Sequence, residues 1–186
     1  MTDIDLNSIG FLEFSSIAKG IEATDAILKA ADVKLVFAHP TCPGKYGVLF
    51  SGEVAAVMSS LESGAKIGGP FVVDSVVLPR VHPQVIRALS LGAEPNEVDA
   101  VGVMEFFSIT AAVYAADAAV KSADVNLLEV RLGTGIGGKS FVILTGDVAA
   151  VTESVRCGVN AEGGKGLLVA SVVIPHPLPE LFETLL

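Results

Sequence analysis

The sequence predicts an α+β protein made of two tandem copies of one β-α-β-β-α-β unit, each closed by a short C-terminal helix. Three observations predict it. A residue pattern recurs at a nearly constant offset along the whole chain. Within each copy, short runs rich in valine and isoleucine alternate with longer helical patterns in the same order. Between the copies lies a stretch of Gly, Pro, Asn and acidic residues that reads as a linker.

The recurrence is specific. Ile9-Gly-Phe-Leu-Glu-Phe-Ser-Ser-Ile17 lies over Val101-Gly-Val-Met-Glu-Phe-Phe-Ser-Ile109. Lys29-Ala-Ala-Asp-Val33 lies over Lys121-Ser-Ala-Asp-Val125, and Gly44-Lys45 over Gly138-Lys139. Ser51-Gly-Glu-Val-Ala-Ala-Val57 then meets Thr145-Gly-Asp-Val-Ala-Ala-Val151, and Val76-Val-Leu-Pro79 meets Val172-Val-Ile-Pro175. The offset grows from 92 to 96, so the added residues fall in loops, the first of them between the second and third strands. Copies of this length are domain-sized. The expected boundaries are 1–92 for the first domain, 93–99 for the linker and 100–186 for the second.

Each element has a reason. Residues 9–14 read as a buried strand, and 17–31 as an amphipathic helix with Ser16 as N-cap. Ile17, Ile21, Ile27 and Leu28 fit a stripe facing the core. Residues 33–38 and 47–51 read as strands flanking a loop. Residues 53–66 form the second helix, 71–78 a valine-rich fourth strand, and 83–91 a short helix opening on Pro83. The second copy repeats this order at 100–107, 109–123, 125–132, 139–145, 148–158, 166–174 and 179–185. The unit is thus a ferredoxin-like sheet with helices on one face, in unpermuted order.

Composition narrows the function. Hydrophobic residues make up 51% of the chain, yet no run approaches the roughly 18 apolar residues of a membrane span. Such an excess points to large interfaces between subunits. The net charge is −9 and there is no basic run, which argues against nucleic acid. Residues 1–8 are polar and acidic, with no charged-then-apolar leader, and two distant cysteines make no disulfide framework, so a cytoplasmic setting is expected.

The loop His39-Pro-Thr-Cys-Pro-Gly-Lys-Tyr46 draws the most attention. Pro40 and Pro43 stiffen the backbone around Cys42, and Gly44 permits a tight turn. A thiol on a stiff tip is either a metal ligand or a free side chain, and the local residues leave both open. Gly133-Thr-Gly-Ile-Gly-Gly-Lys139, followed by Ser140, has the spacing of a phosphate-binding glycine loop. The run 141–144 after it reads as a strand, so the required helix is missing and crowded backbone is the simpler role. His39, His82 and His176 are too scattered for a metal motif. Glu13 and Glu105 are repeat counterparts and read as structural acceptors. Cys157 reads as a small buried hydrophobe.

The opening Gly-x-x-Glu-x-x-Ser, the helix pattern Ala-x-Asp-Ala-x-x-Lys-Ala, the Gly-Ile-Gly-Gly-Lys loop, Gly-Asp-Val-Ala-Ala-Val and the closing Val-Ile-Pro resemble the bacterial microcompartment shell domain. The resemblance covers both copies and is nearest to tandem, trimer-forming members associated with propanediol utilisation. It implies a non-enzymatic homotrimer, a pseudohexameric tile with a central pore, in a microcompartment shell within the cytoplasm. Its partners would be neighbouring shell proteins and encapsulated redox enzymes, with neither nucleic acid nor membrane. It implies a pore lined by His39, Pro40, Thr41, Pro43, Gly44 and Lys45 of copy one and by Gly133, Thr134, Gly135, Ile136, Gly137 and Gly138 of copy two. It implies tile-edge contacts at Lys29, Lys121 and Arg80. It also implies that three Cys42 thiolates share one 4Fe-4S cluster that passes electrons across the shell; three thiolates with an open iron site are chemically feasible, and a three-thiolate zinc is a lesser option. The alternatives are a cluster-free metabolite pore and a small-molecule-binding regulatory protein that uses a cleft between the copies.

Overall fold

A computed structural model of the chain describes residues 8–90, 99–161 and 167–183. The expected linker, apart from Asp99, and the ends of several expected helices lie outside the described residues. Packing divides the chain into two units, Met1–Val81 and His82–Leu186.

In the first unit the order is β1 (Ser8–Phe14), α1 (Ile17–Ala30), β2 (Val33–Thr41), β3 (Lys45–Gly52), α2 (Val54–Gly68) and β4 (Val72–Pro79). The strands form an antiparallel sheet in the order β2-β3-β1-β4, so β2 is an edge. Both helices pack on the sheet and on each other. Leu12, Phe14, Ile27, Val48, Phe50 and Val57 close the core between them. Gly64 makes the close approach feasible: a Cβ there would stand 2.6 Å from Ile27 Cγ1. The Ser60 hydroxyl donates to the Ile27 carbonyl at 2.9 Å and fixes the helix pair.

The second unit opens with α3 (Pro83–Ser90), then β5 (Ala100–Phe106), α4 (Ile109–Ser122), β6 (Asn126–Leu132), β7 (Ser140–Gly146), α5 (Val148–Val159), β8 (Leu168–Pro175) and α6 (Pro179–Glu183). Its sheet order, β6-β7-β5-β8, repeats that of the first. The repetition reaches single residues. Ser154 donates to the Ala119 carbonyl at 3.0 Å as its counterpart Ser60 does to Ile27. Ser16 and Ser108 both cap their helices by accepting from the backbone N–H three residues on. Arg80 and His176, the residues that follow β4 and β8, both take a left-handed φ, 52° and 47°.

Two expectations change. The loop of the first copy is shorter than the sequence implies. β2 runs on through His39, Pro40 and Thr41, and β3 begins at Lys45, with Thr41 paired to Lys45. An edge strand tolerates Pro40, which has no N–H to offer a ladder. The α1 stripe also differs. Ile27 is buried with Ala23 and Gly20, whereas Ile17, Ile21 and Leu28 are exposed in this chain.

The third helix counts with the first copy by sequence repeat but packs with the second unit, against β6 and α4. Val85, Ile86 and Ala88 are buried there. Gln84 spans the start of β6: its Nε2 donates to the Val125 carbonyl at 3.2 Å and its Oε1 accepts from Leu127 N–H at 2.9 Å. The His82 N–H donates to Asp117 Oδ1 on α4 at 2.8 Å.

Candidate functional site: two hairpin tips

In each unit the connection between the second and third strands carries the residues singled out by the sequence. In the first unit the tip is Cys42, Pro43 and Gly44, held by the Thr41–Lys45 pair. Gly44 turns the chain at φ 75°, a conformation that a side chain resists. In the second unit the tip is the longer Gly133–Lys139 stretch. There the Gly133 N–H donates to the Lys139 carbonyl (3.1 Å) and the Lys139 N–H to the Ile136 carbonyl (3.3 Å). Gly135 and Gly137 sit at φ 76° and 68°, with open space where a Cβ would stand. Within one chain, their backbone hand, not crowding, requires glycine.

Both tips are anchored the same way. Lys45 Nζ pairs with Glu13 Oε2 on β1 at 3.0 Å, and its counterpart Lys139 pairs with Glu105. The two glutamates are structural acceptors, as expected, and their donors are the tip lysines. That both residues of each pair recur in the repeat carried that signal. The first pair is much the drier: the Glu13 side chain is 7% exposed and that of Glu105 31%. Since β7 begins straight after Lys139, no helix follows the glycine loop, and its lysine is engaged by Glu105.

The remaining candidates stay apart. His39 stacks on Phe37, ring centroids 4.6 Å apart, with Nδ1 3.2 Å from the Pro40 carbonyl. His176 pairs with Asp99 at 2.8 Å. Lys29 and Lys121 each reach back one helical turn, to Asp25 and Asp117, at 2.5 Å. Cys157 is half-buried on α5 and donates to Glu153 at 3.3 Å, so it is not a plain core residue. Arg156, with that thiol, holds the Glu153 carboxyl down to about 2.

The residues around Cys42 do not suit the expected cluster. Among the described residues no group of three or more His, Cys, Asp or Glu side chains could hold a metal ion. Cys42 is a free, half-buried thiol. Nearby His39 is turned onto Phe37, and Glu13 is tied to Lys45. The reading of Cys42 as a ligand of 4Fe-4S, and with it metal binding and electron transport, is corrected: these residues supply one thiol and no donor set.

Comparison with known proteins fixes the class. The BMC domain family model matches twice, at residues 8–81 and 100–177, one match in each copy. The chain belongs to the bacterial microcompartment shell proteins, as a tandem-domain member, in a family that is structural rather than catalytic. It is therefore a shell component of a microcompartment in the bacterial cytoplasm. It is closely related to the shell protein PduT of Citrobacter freundii, 43% identical over 170 residues that cover 91% of this chain and 92% of that one. The carboxysome assembly protein CcmO of Synechococcus elongatus is 30% identical over 191 residues, 96% of this chain and 68% of the relative. A crystal structure of a microcompartment protein from Desulfitobacterium hafniense superposes with a TM-score of 0.90 at 51% identity, covering 96% of this chain and 99% of that one. Among the described residues no helix is long and apolar enough to cross a membrane.

Proposed function

We propose that three chains close into a pseudohexameric tile whose central pore passes small polar metabolites and carries no cluster. The single observation behind this reading is a difference between two equivalent helix faces. Ile17, Ile21 and Leu28 on α1 are 39%, 56% and 43% exposed, whereas their counterparts Ile109, Val113 and Val120 on α4 are 2%, 0% and 7% exposed. One sequence pattern is covered in one copy and bare in the other. A ring of identical chains covers the bare face with the next chain. The curated relative PduT is named as a shell protein, which agrees with a tile.

In this tile the pore is lined by His39, Pro40, Thr41, Cys42, Pro43, Gly44 and Lys45 from the first copy and by Gly133, Thr134, Gly135, Ile136, Gly137 and Gly138 from the second. Backbone dipoles on glycine suit small polar solutes. Lys29, Lys121 and Arg80 lie at the outer edge, where they meet neighbouring shell proteins, and the domains run 1–92 and 100–186 about the 93–99 linker. Electron microscopy of concentrated protein tests the reading. Flat sheets or tubes of tiles, each with a central hole, are expected. Separate globular particles that never tile would contradict it and favour a regulatory protein.

A further inference from the structure

The chain contains a worked example of how its own terminal helix docks. α3 follows the first repeat and seats on β6 and α4 of the second unit. α6 follows the second repeat in the same way. Pro83, Gln84 and Val85 correspond to Pro179, Glu180 and Leu181 at the repeat offset. The local turn is the same: Val85 N–H donates to the His82 carbonyl and Leu181 N–H to the Leu178 carbonyl, both at 3.0 Å. Yet Val85 is fully buried, while Leu181 and Leu178 are 39% and 73% exposed.

The receiving surface is also present twice. Gln84 docks on Val125 and Leu127 of the second unit, both buried. The counterparts on the edge strand β2 are Val33 and Leu35, and Leu35 is 42% exposed. Asp117, which accepts the His82 N–H, is buried, and its counterpart Asp25 is exposed.

One change sets the two seams apart. The residue that spans the strand edge is Gln84 in one and Glu180 in the other. The residue between the two spanned positions is Asn126 in one and Lys34 in the other. A neutral pair has become a pair of opposite charges. An amide both donates and accepts; an ionised carboxylate only accepts. Glu180 can therefore serve the Leu35 N–H as Gln84 serves Leu127, but it leaves the Val33 carbonyl without the donor that Val125 receives. The Lys34 ammonium supplies a cation at that point.

We propose that α6 of one copy docks on α1 and the β2 edge of a second copy, with Glu180 of the first paired to Lys34 of the second. This rests on the ring reading above and names the residues that make its seam between chains. The occupant is a second copy, because α3 shows the seat filled by this chain's own sequence and because the charges on the two halves are opposite. Charge pairs at a rim act mainly on specificity and association, so the seam between copies is salt-sensitive. Asp25 accepts the Leu178 N–H at the same seam.

The test uses the full chain in sedimentation velocity across a salt series. Glu180→Lys and Lys34→Glu are each expected to weaken assembly about tenfold by placing like charges together. The double reversal, Glu180→Lys with Lys34→Glu, is expected to restore it. Both sites are exposed in the single chain, and circular dichroism checks that each variant folds. If the native chain assembles and neither single reversal weakens it, the ring stands and the Glu180–Lys34 pair is wrong. If the native chain stays monomeric, the ring reading fails, and the seam with it.

Discussion

Ile21→Asp is expected to turn the assembled protein into a folded monomer. Ile21 is the most exposed member of the α1 stripe in the single chain, so a carboxylate there meets water and costs the fold little. In the ring the same position lies on a covered face, where an unpaired charge is expensive. Removing the apolar side chain also forfeits about 1.5–3 kcal/mol of burial. Together these should weaken each seam by about a hundredfold or more. The equivalent change on the other helix should behave differently. Val113 is fully buried already, so Val113→Asp should lower stability itself, by about 4 kcal/mol or more. Sedimentation velocity and urea unfolding of both variants separate the outcomes. An Ile21→Asp variant that assembles like the parent would mean that α1 faces solvent in the assembly.

The second large effect lies at the tip of the first unit. Lys45→Met should destabilise the protein by about 3 kcal/mol, because it strands a carboxylate that is almost fully buried. Glu13 lies directly across from Asp74 on β4, a like charge that sharpens its need for a cation. Its counterpart Glu105 lies across from Ala170 and is far more exposed. Lys139→Met should therefore cost only about 0–1 kcal/mol. Adding Glu13→Gln to Lys45→Met should recover most of the loss, since a neutral amide carries no buried charge. The readout is the urea midpoint at constant slope. Equal losses for the two lysines would show that both pairs behave as surface ion pairs.

Much of this fold is legible in the sequence because the same unit is written twice. A strand or helix that is ambiguous in one copy is supported by the other, and the β-α-β-β-α-β order follows from that. The Ser16 cap, the Pro83 helix start and the strand after Lys139 are local patterns, and local patterns suffice for them. What periodicity does not carry is the identity of the neighbour. The α1 stripe of Ile17, Ile21 and Leu28 is apolar at helical spacing, which predicts a covered face, yet the three side chains are exposed in the single chain. For the same reason the repeat places α3 with the first copy, whereas packing seats it on the second unit through Gln84.

The tips show a different limit. Pro40 reads as a loop residue, but an edge strand absorbs it, so β2 continues to Thr41 and the loop contracts to three residues. The Glu13–Lys45 and Glu105–Lys139 pairs link residues over thirty positions apart. Only the recurrence of both residues in the two copies hints at them. Cys42 shows how little one cysteine determines: its place on a stiff tip leaves a ligand and a bare thiol both open, and among the described residues no donor set stands beside it.

Native mass spectrometry of the full chain at micromolar concentration distinguishes a closed ring of three from every other state. One dominant species of three chain masses is expected, lost in Ile21→Asp and retained in Lys139→Met. A native chain that flies as a monomer or as a dimer would contradict the closed ring of three.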